Sequence, residues 1–411
     1  MGRYLWAEVL LFEVLHIIVL YPTRQDAYRV VVLTAMVYVA AQIFLTPEFT
    51  DPPVVTYTVG GMIAFHFAFT AYLLFAEGTF PNHWRRVRDE VHAKADASGL
   101  DNLPSSFPLT EKFWWMVDIA YGIRMIGWVQ EPINCLPPHP PPSRRDFLWK
   151  TLLKFIFHFA ALDLTTGFLF SGNPAFDSRM HDPTDGPETY LAAVPLLHRI
   201  PYILGYGIIV GATVSVAHNM IALVCIGLGR SSPTLWPDMW GRWGDAYTVR
   251  KLWGQTWHQR MRPTFVGLGR LVANKFLKFP RGTNGSSYAQ LYIAFLLSGI
   301  LHFAADFMME KRMVYRSFNF FLLQAIAITF EDFVIYITKS LLIQRGIELR
   351  PGKIHKSWAE AVVRVIGYCW VVVWFCLTLP VWLDGASTIG LNNVDRGAGT
   401  KFLLDTWKRW T

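Results

Sequence analysis

The feature that most constrains this chain is the recurrence of apolar blocks of about 20 residues, a length that matches the roughly 30 Å hydrocarbon core of a bilayer. The blocks are Tyr4–Tyr21, Ala27–Thr46, Val54–Ala76, Phe147–Phe170, Tyr202–Leu228, Tyr288–Met309, Phe318–Leu342 and Trp358–Leu383. Pro22, Pro52, Pro53, Pro201 and Pro351 punctuate their boundaries, as expected where helices start or stop. A chain with 53% hydrophobic and only 17% charged residues patterned this way is an all-α, polytopic membrane bundle of about eight spans. It reads as a single membrane-embedded domain over residues 1–411. No repeat of 20–50 residues is visible; Gly-Leu-Gly-Arg at 227–230 and 267–270 is a chance recurrence.

Charge places the connectors. Glu48 and Asp51 sit in one that lacks Lys and Arg, and Asp177, Asp182, Asp185 and Glu188 dominate another. Arg85, Arg86, Arg88, Lys94, Arg144 and Arg145 mark a basic connector, and residues 229–287 are richer still. Excess cations on cytosolic connectors put the two basic ones in the cytosol and the N-terminus in the lumen. Lys311, Arg312 and Arg316 fall on the wrong side of that scheme, and the sequon Asn284-Gly285-Ser286 is hidden in the cytosol by it. The net charge of +8 needs no nucleic acid, because the basic residues are scattered among spans. Trp84–Ala97 and Phe113–Trp128 suit the membrane interface, and Pro137, Pro138, Pro140, Pro141 and Pro142 stiffen the approach to the fourth span. Cys135, Cys225, Cys369 and Cys376 show neither metal-ligand nor disulfide spacing. The first block, interrupted by Glu8, Glu13 and His16 with no cleavage site after it, is a retained span rather than a signal peptide.

Ionisable residues inside spans need a reason. His302 lies about 14 residues into its span, residues 288–309, roughly 20 Å from the cytosolic end. An imidazole there is neutral, which suits either a general base for a hydroxyl or a histidine bonded to a neighbouring helix. Asp306, one turn on, either fixes the ring's tautomer or snorkels to the far interface. Glu331 and Asp332 are candidates to line a substrate pocket; Glu8, Glu13, His16, His66, His218 and Asn219 read as helix-to-helix hydrogen bonds. His158 and Asp163 imitate a His-x4-Asp acyltransferase signature, but five residues along a helix leaves them about 140° apart, so they cannot cooperate. Gly207 and Gly211 form a small-xxx-small pattern that favours close packing.

The tryptophan-rich stretch from Trp236 to Arg262 is the densest in indoles and ends in cations. Arg250–Arg262 reads as a short helix with Trp253 and Trp257 on one face and His258 beside them, flanked by Arg250, Lys251, Arg260 and Arg262. Indoles with guanidiniums suit a phosphate-bearing nucleotide, by stacking and charge-assisted bonds; an interfacial helix anchored by tryptophan would look the same.

Trp253-Gly-Gln-Thr-Trp-His-Gln259 resembles the Trp-Gly-Arg-x-Trp-His-Gln signature of wax synthase-like membrane-bound O-acyltransferases, and the fungal members that acetylate terpenoid and meroterpenoid metabolites are most similar. Arg124-Met-Ile-Gly-Trp128 resembles that family's Arg-Gly-Ile-Gly-Trp, and Ser298-Gly-Ile-Leu-His302 resembles the stretch holding its buried histidine. Trp236-Pro237 and Asp245-Ala-Tyr247 stand in the family order. The resemblance implies an MBOAT-like bundle in the endoplasmic reticulum that moves an acetyl group from acetyl-CoA to a hydroxyl of a lipophilic alcohol. It holds no permanent cofactor and no metal. His302 would be the general base and His258 would lie near the thioester, with Trp253, Trp257, Gln259, Arg250, Lys251 and Arg260 toward the coenzyme. Gln255 replaces the family's arginine, which moves the phosphate contact to Arg250, Lys251 or Arg260. Rival readings are a wax ester synthase, a transporter (which lacks the expected inverted repeat) and a membrane terpene cyclase. The C-terminal Lys408-Arg409-Trp410-Thr411 resembles a retrieval signal.

Overall fold

The computed structural model describes residues 5–22, 25–46, 53–76, 107–128, 130–131, 143–170, 190–345 and 358–387. Trp84–Ala97, the proline run, Cys135, most of the acidic connector after Phe170 and the C-terminal tetrapeptide lie outside them. The helices are α1 (Leu5–Ile18), α2 (Asp26–Leu45), α3 (Pro53–Ala71), α4 (Leu109–Tyr121), α5 (Arg144–Phe170), α6 (Ile200–Gly227), α7 (Arg262–Arg270), α8 (Asn284–Glu310), α9 (Arg316–Gln344) and α10 (Trp358–Ser387). No strand occurs among the described residues.

Every block read as a span forms a helix. Among the described residues six are long and apolar enough to cross a membrane: α2, α3 with the turn after it, α6, α8, α9 and α10. The other two differ for physical reasons. Helix α1 has 14 residues, roughly 21 Å of rise, short of the hydrocarbon core. Helix α5 has 27 residues but carries Arg144, Arg145, Asp146, Lys150, Lys154 and Asp163. Its His158 Nδ1 lies 2.6 Å from the Lys154 carbonyl, a bond internal to the helix.

The chain divides into two compact units. One holds residues 1–136 and 258–325, the other 137–257 and 326–411. In the first, α3 and α8 meet at glycine. A Cβ on Gly60 would lie 2.6 Å from Met308 Cβ and 2.8 Å from the Ala304 carbonyl oxygen, so only a bare backbone permits this approach. Gly267 of α7 likewise faces the ring of Tyr72. Val9, Phe12, Ile63, Phe69, Trp115, Met125, Leu301 and Met308 fill the core between these helices. Helix α4 is amphipathic: Trp115, Met116, Ile119 and Ala120 are buried while Phe113 and Trp114 stay exposed.

A polar seam ties α1 to this unit. Glu13 accepts from His66 Nδ1 at 2.9 Å and from the Tyr121 hydroxyl at 2.7 Å. His16 stacks on His66 with centroids 4.4 Å apart, and its Nδ1 lies 3.0 Å from the Thr70 hydroxyl. These are the helix-to-helix bonds expected of intramembrane polar groups. At the far end of α8, Glu310 pairs with both Arg312 and Arg316, and Lys311 donates to the Phe44 carbonyl at 3.1 Å. Each of the three cations thus has a partner in the fold, although Arg312 is exposed.

In the second unit α5 and α6 pair along their length. Gly211 lies against the Trp240 ring, 3.7 Å from an added Cβ, and Gly207 faces nothing within 4 Å. Gly211 therefore makes room for an indole, and Gly207 makes no close contact among the described residues.

Candidate active site

His302 projects from α8 one turn before the Gly60 crossing, and that closeness brings Tyr57 of α3 to it. The Tyr57 hydroxyl lies 2.9 Å from His302 Nδ1. Phe321 stacks on the imidazole face, centroids 4.6 Å apart and planes within 16°. Asp306, also buried, accepts from the Ser317 hydroxyl at 2.6 Å. The carboxylate considered for orienting the ring thus secures the start of α9, and a tyrosine 245 residues away meets the ring nitrogen.

His258 caps the short turn Gln259–Met261, its Nδ1 buried. Burial above all, helped by Arg260, His302 and Arg124, pushes its pKa down to about 3. The side chain is therefore neutral at physiological pH and lies within electrostatic reach of His302 and two guanidiniums. Arg260 is half-buried, and desolvation lowers its pKa. Gln259 is buried and accepts from Arg262 Nη1 at 2.9 Å. Arg124 is buried beside a tight reversal in which Met125 and Gly127 take φ of 53° and 78°. Gly127 N–H donates to Glu131 at 2.7 Å, and Trp128 packs edge-on against Trp115 at 5.9 Å. The first unit thus gathers two imidazoles, two arginines and a phenol.

The remaining candidates lie in the second unit. In place of one helix over residues 250–262, Leu252–Thr256 forms a π turn, a conformation often found at functional sites, and Trp257 is extended before the turn Gln259–Met261. Gly241 N–H donates to the Thr256 carbonyl at 3.0 Å, and a Cβ on Gly241 would overlap the Gln255 carbonyl at 1.9 Å. Trp253 packs on Trp257 at 5.7 Å and on Phe375 at 6.1 Å; Trp257 packs on Trp240 at 5.1 Å. Arg250 pairs with Asp332, and Lys251 donates to the Tyr247 hydroxyl. Glu331 accepts from the backbone of Val249 at 2.5 Å and Arg250 at 3.0 Å, and from Trp370 Nε1 at 2.7 Å. Both acidic pocket candidates are therefore engaged in anchoring the tryptophan-rich loop.

That loop lies against the middles of α6 and α9 and against α10. Glu331 is near the midpoint of α9, Trp240 Nε1 donates to Ser215 of α6 at 2.8 Å, and Tyr247 abuts Gly367 of α10. Ala246, Val249, Leu252 and Thr256 are buried there, while Trp243 stays exposed.

Tyr57 gives no sequence signal of its own; the Gly60-Gly61 pair one turn away is the only sign that another helix comes close. Arg124 carried a signal only as part of a motif. Among the described residues no group of three or more His, Cys, Asp or Glu could hold a metal ion.

Residues 236–323, which include His258, His302 and Phe321, match the membrane bound O-acyl transferase family. The chain is 31% identical over 284 residues to an acetyltransferase, eriL, of Hericium erinaceus, covering 67% of each chain. It is 31% identical over 303 residues to acetyltransferase ple2 of Rhodocybe pseudopiperita, covering 73% of each. Acetyltransferase sirH of Leptosphaeria maculans is 26% identical over 314 residues, covering 75% of this chain and 72% of that protein. With six helices long and apolar enough to span, a half-buried histidine pair and relatives of this kind, the chain belongs to the membrane-bound O-acyltransferase family and is an integral, multi-pass, acyl-transferring enzyme.

Proposed function

We propose that this enzyme moves an acetyl group from acetyl-CoA to a hydroxyl of a hydrophobic terpenoid or meroterpenoid alcohol, with His302 as general base. The observation that carries this is the placement of an oriented imidazole inside a span, with a second, neutral imidazole in electrostatic reach and two arginines in reach of that second one. The Nε2 edge of His302 takes the hydroxyl proton as oxygen attacks the thioester carbonyl. The tetrahedral intermediate then expels the coenzyme's sulfur, which recovers the proton from the imidazolium. His258, being neutral, offers a hydrogen bond to the developing oxyanion. Arg260 and Arg124 supply the positive charge that an anionic donor requires. Positioning both reactants away from water supplies rate and suppresses hydrolysis. The acceptor arrives from the bilayer, and the endoplasmic reticulum is the proposed membrane.

The test uses microsomes containing the full chain, labelled acetyl-CoA and a panel of terpenoid alcohols, wild type beside His302→Ala. Acetyl ester should form with wild type and be lost in the variant. Full activity in the variant removes the proposed base. Faster turnover with long-chain acyl-CoA and a fatty alcohol would replace the acetyl reading with wax ester synthesis.

A further inference from the structure

The contact between Tyr57 and His302 joins two spans far apart in sequence, and the mechanism above leaves it without a role. An imidazole can serve as a base only through a nitrogen that bears a lone pair, so its tautomer matters. If the tyrosine donated to Nδ1, the ring proton would sit on Nε2 and that edge could not take a proton. If the tyrosine oxygen accepts from Nδ1–H, the lone pair is at Nε2. We propose that Tyr57 is a positioning residue of the active site: its phenol oxygen accepts from His302 Nδ1–H, sets the tautomer, and keeps that bond when the imidazolium forms.

Three features of the structure support this role. The distance is 2.9 Å. The face of the ring is fixed independently by Phe321, stacked at 4.6 Å and buried. Together an edge contact and a face contact leave the imidazole one orientation, with Nε2 on the edge opposite the phenol. The third is the Gly60 crossing, one turn from Tyr57, where a Cβ would meet Met308 and Ala304. It holds the two backbones at the separation the bond needs. Asp306, the carboxylate on the same helix, is bonded to Ser317. A neutral phenol thus takes the part that a carboxylate plays in a serine-protease triad. No proton moves to tyrosine at any stage: Nε2 gains the hydroxyl proton and later gives it to the departing sulfur.

The inference rests on His302 being the base, so the two are tested apart. In microsomes, Tyr57→Phe should lower kcat on the order of 10-fold or more, within the range general-base catalysis contributes. KM for acetyl-CoA should stay within about twofold, because binding is untouched. The melting temperature of the solubilised protein should be unchanged. Replacing Tyr57 with 3-fluorotyrosine keeps the shape but weakens the oxygen as an acceptor; kcat should fall to an intermediate value. If Tyr57→Phe does not accumulate as folded protein, the fluorotyrosine enzyme decides alone. Unchanged kcat in either folded variant overturns the inference, as does a loss that tracks a fall in melting temperature. An inactive His302→Gln beside an undiminished Tyr57→Phe removes this inference and leaves the base. An active His302→Gln removes the base itself.

Discussion

Arg250 and Asp332 form a two-point ion pair: Nε donates to Oδ1 at 3.0 Å and Nη2 to Oδ2. The pair joins the tryptophan-rich loop to the middle of α9. Both side chains are partly exposed, 47% and 26%, so the pair stabilises by about 0.5–1 kcal/mol. Arg250→Gln should therefore lower the melting temperature slightly and leave KM for acetyl-CoA within about twofold. A tenfold rise in KM, measured in microsomes, would return Arg250 to the coenzyme.

Glu331 does more, because one buried carboxylate satisfies two backbone N–H groups and an indole. A glutamine there presents an amide N–H to at least one donor. Glu331→Gln should destabilise by roughly 2–4 kcal/mol and make the loop susceptible to protease. Thermal unfolding and limited proteolysis of the solubilised protein check this; wild-type behaviour in both would show that the clamp is unimportant.

Gly60→Ala places a methyl 2.8 Å from a backbone carbonyl that cannot rotate away. Relieving these contacts takes a shift of roughly half an ångström or more, at a cost of roughly 1–3 kcal/mol. Turnover should fall more than stability does, since Tyr57 and His302 straddle the same contact. Gly207→Ala, whose Cβ meets nothing within 4 Å, is the control and should behave as wild type.

The depressed pKa of His258 carries a signed pH dependence. In the unfolded chain the ring titrates at an ordinary value near 6.5; in the fold it does so at about 3. Above pH 6.5 both states are neutral and the full stability is present. Between 6.5 and 3 the unfolded state takes up the proton first, so stability is lost as pH falls, by up to about 1.4 kcal/mol per unit. Melting temperatures at pH 7.5 and 5.5 should drop further for wild type than for His258→Gln. An equal drop would mean that this ring is not the group responsible.

Met125 sits in a left-handed conformation, φ 53°, where the motif it resembles has glycine. A Met125→Gly change relieves roughly 1–2 kcal/mol of backbone strain. The side chain is fully buried, though, and its loss costs about 2–5 kcal/mol. The packing effect is the larger, so the variant should unfold at lower denaturant. A stabilised variant would show the opposite balance.

The helical membrane fold was legible because a span's length and apolarity are local properties. His302 and His258 were legible for a related reason, since an ionisable group in lipid stands out and a short signature marks its neighbour. Partners across the bundle were not. Glu331 and Asp332 stood out as intramembrane acids, but Glu331's partners in the loop lie 82 and 81 residues away and Asp332's lies 82 away, and nothing local separates an acid that binds substrate from one that caps a backbone. Tyr57 was silent because an aromatic residue in a span is ordinary until a second helix arrives beside it. Asp306 had the right helical spacing from His302, and spacing alone could not see Ser317.

The packing of the tryptophan-rich loop also bears on the chain's sidedness. Arg250 and Lys251, counted with the cytosolic cations, are bound to Asp332 and Tyr247 within their unit. Glu310 likewise pairs with Arg312 and Arg316. Pairing does not take a cation out of that count, because the orientation rule weighs Lys and Arg rather than net charge. The three cations after α8 therefore still count against a lumenal N-terminus, and glycan attachment at Asn284 would decide the side.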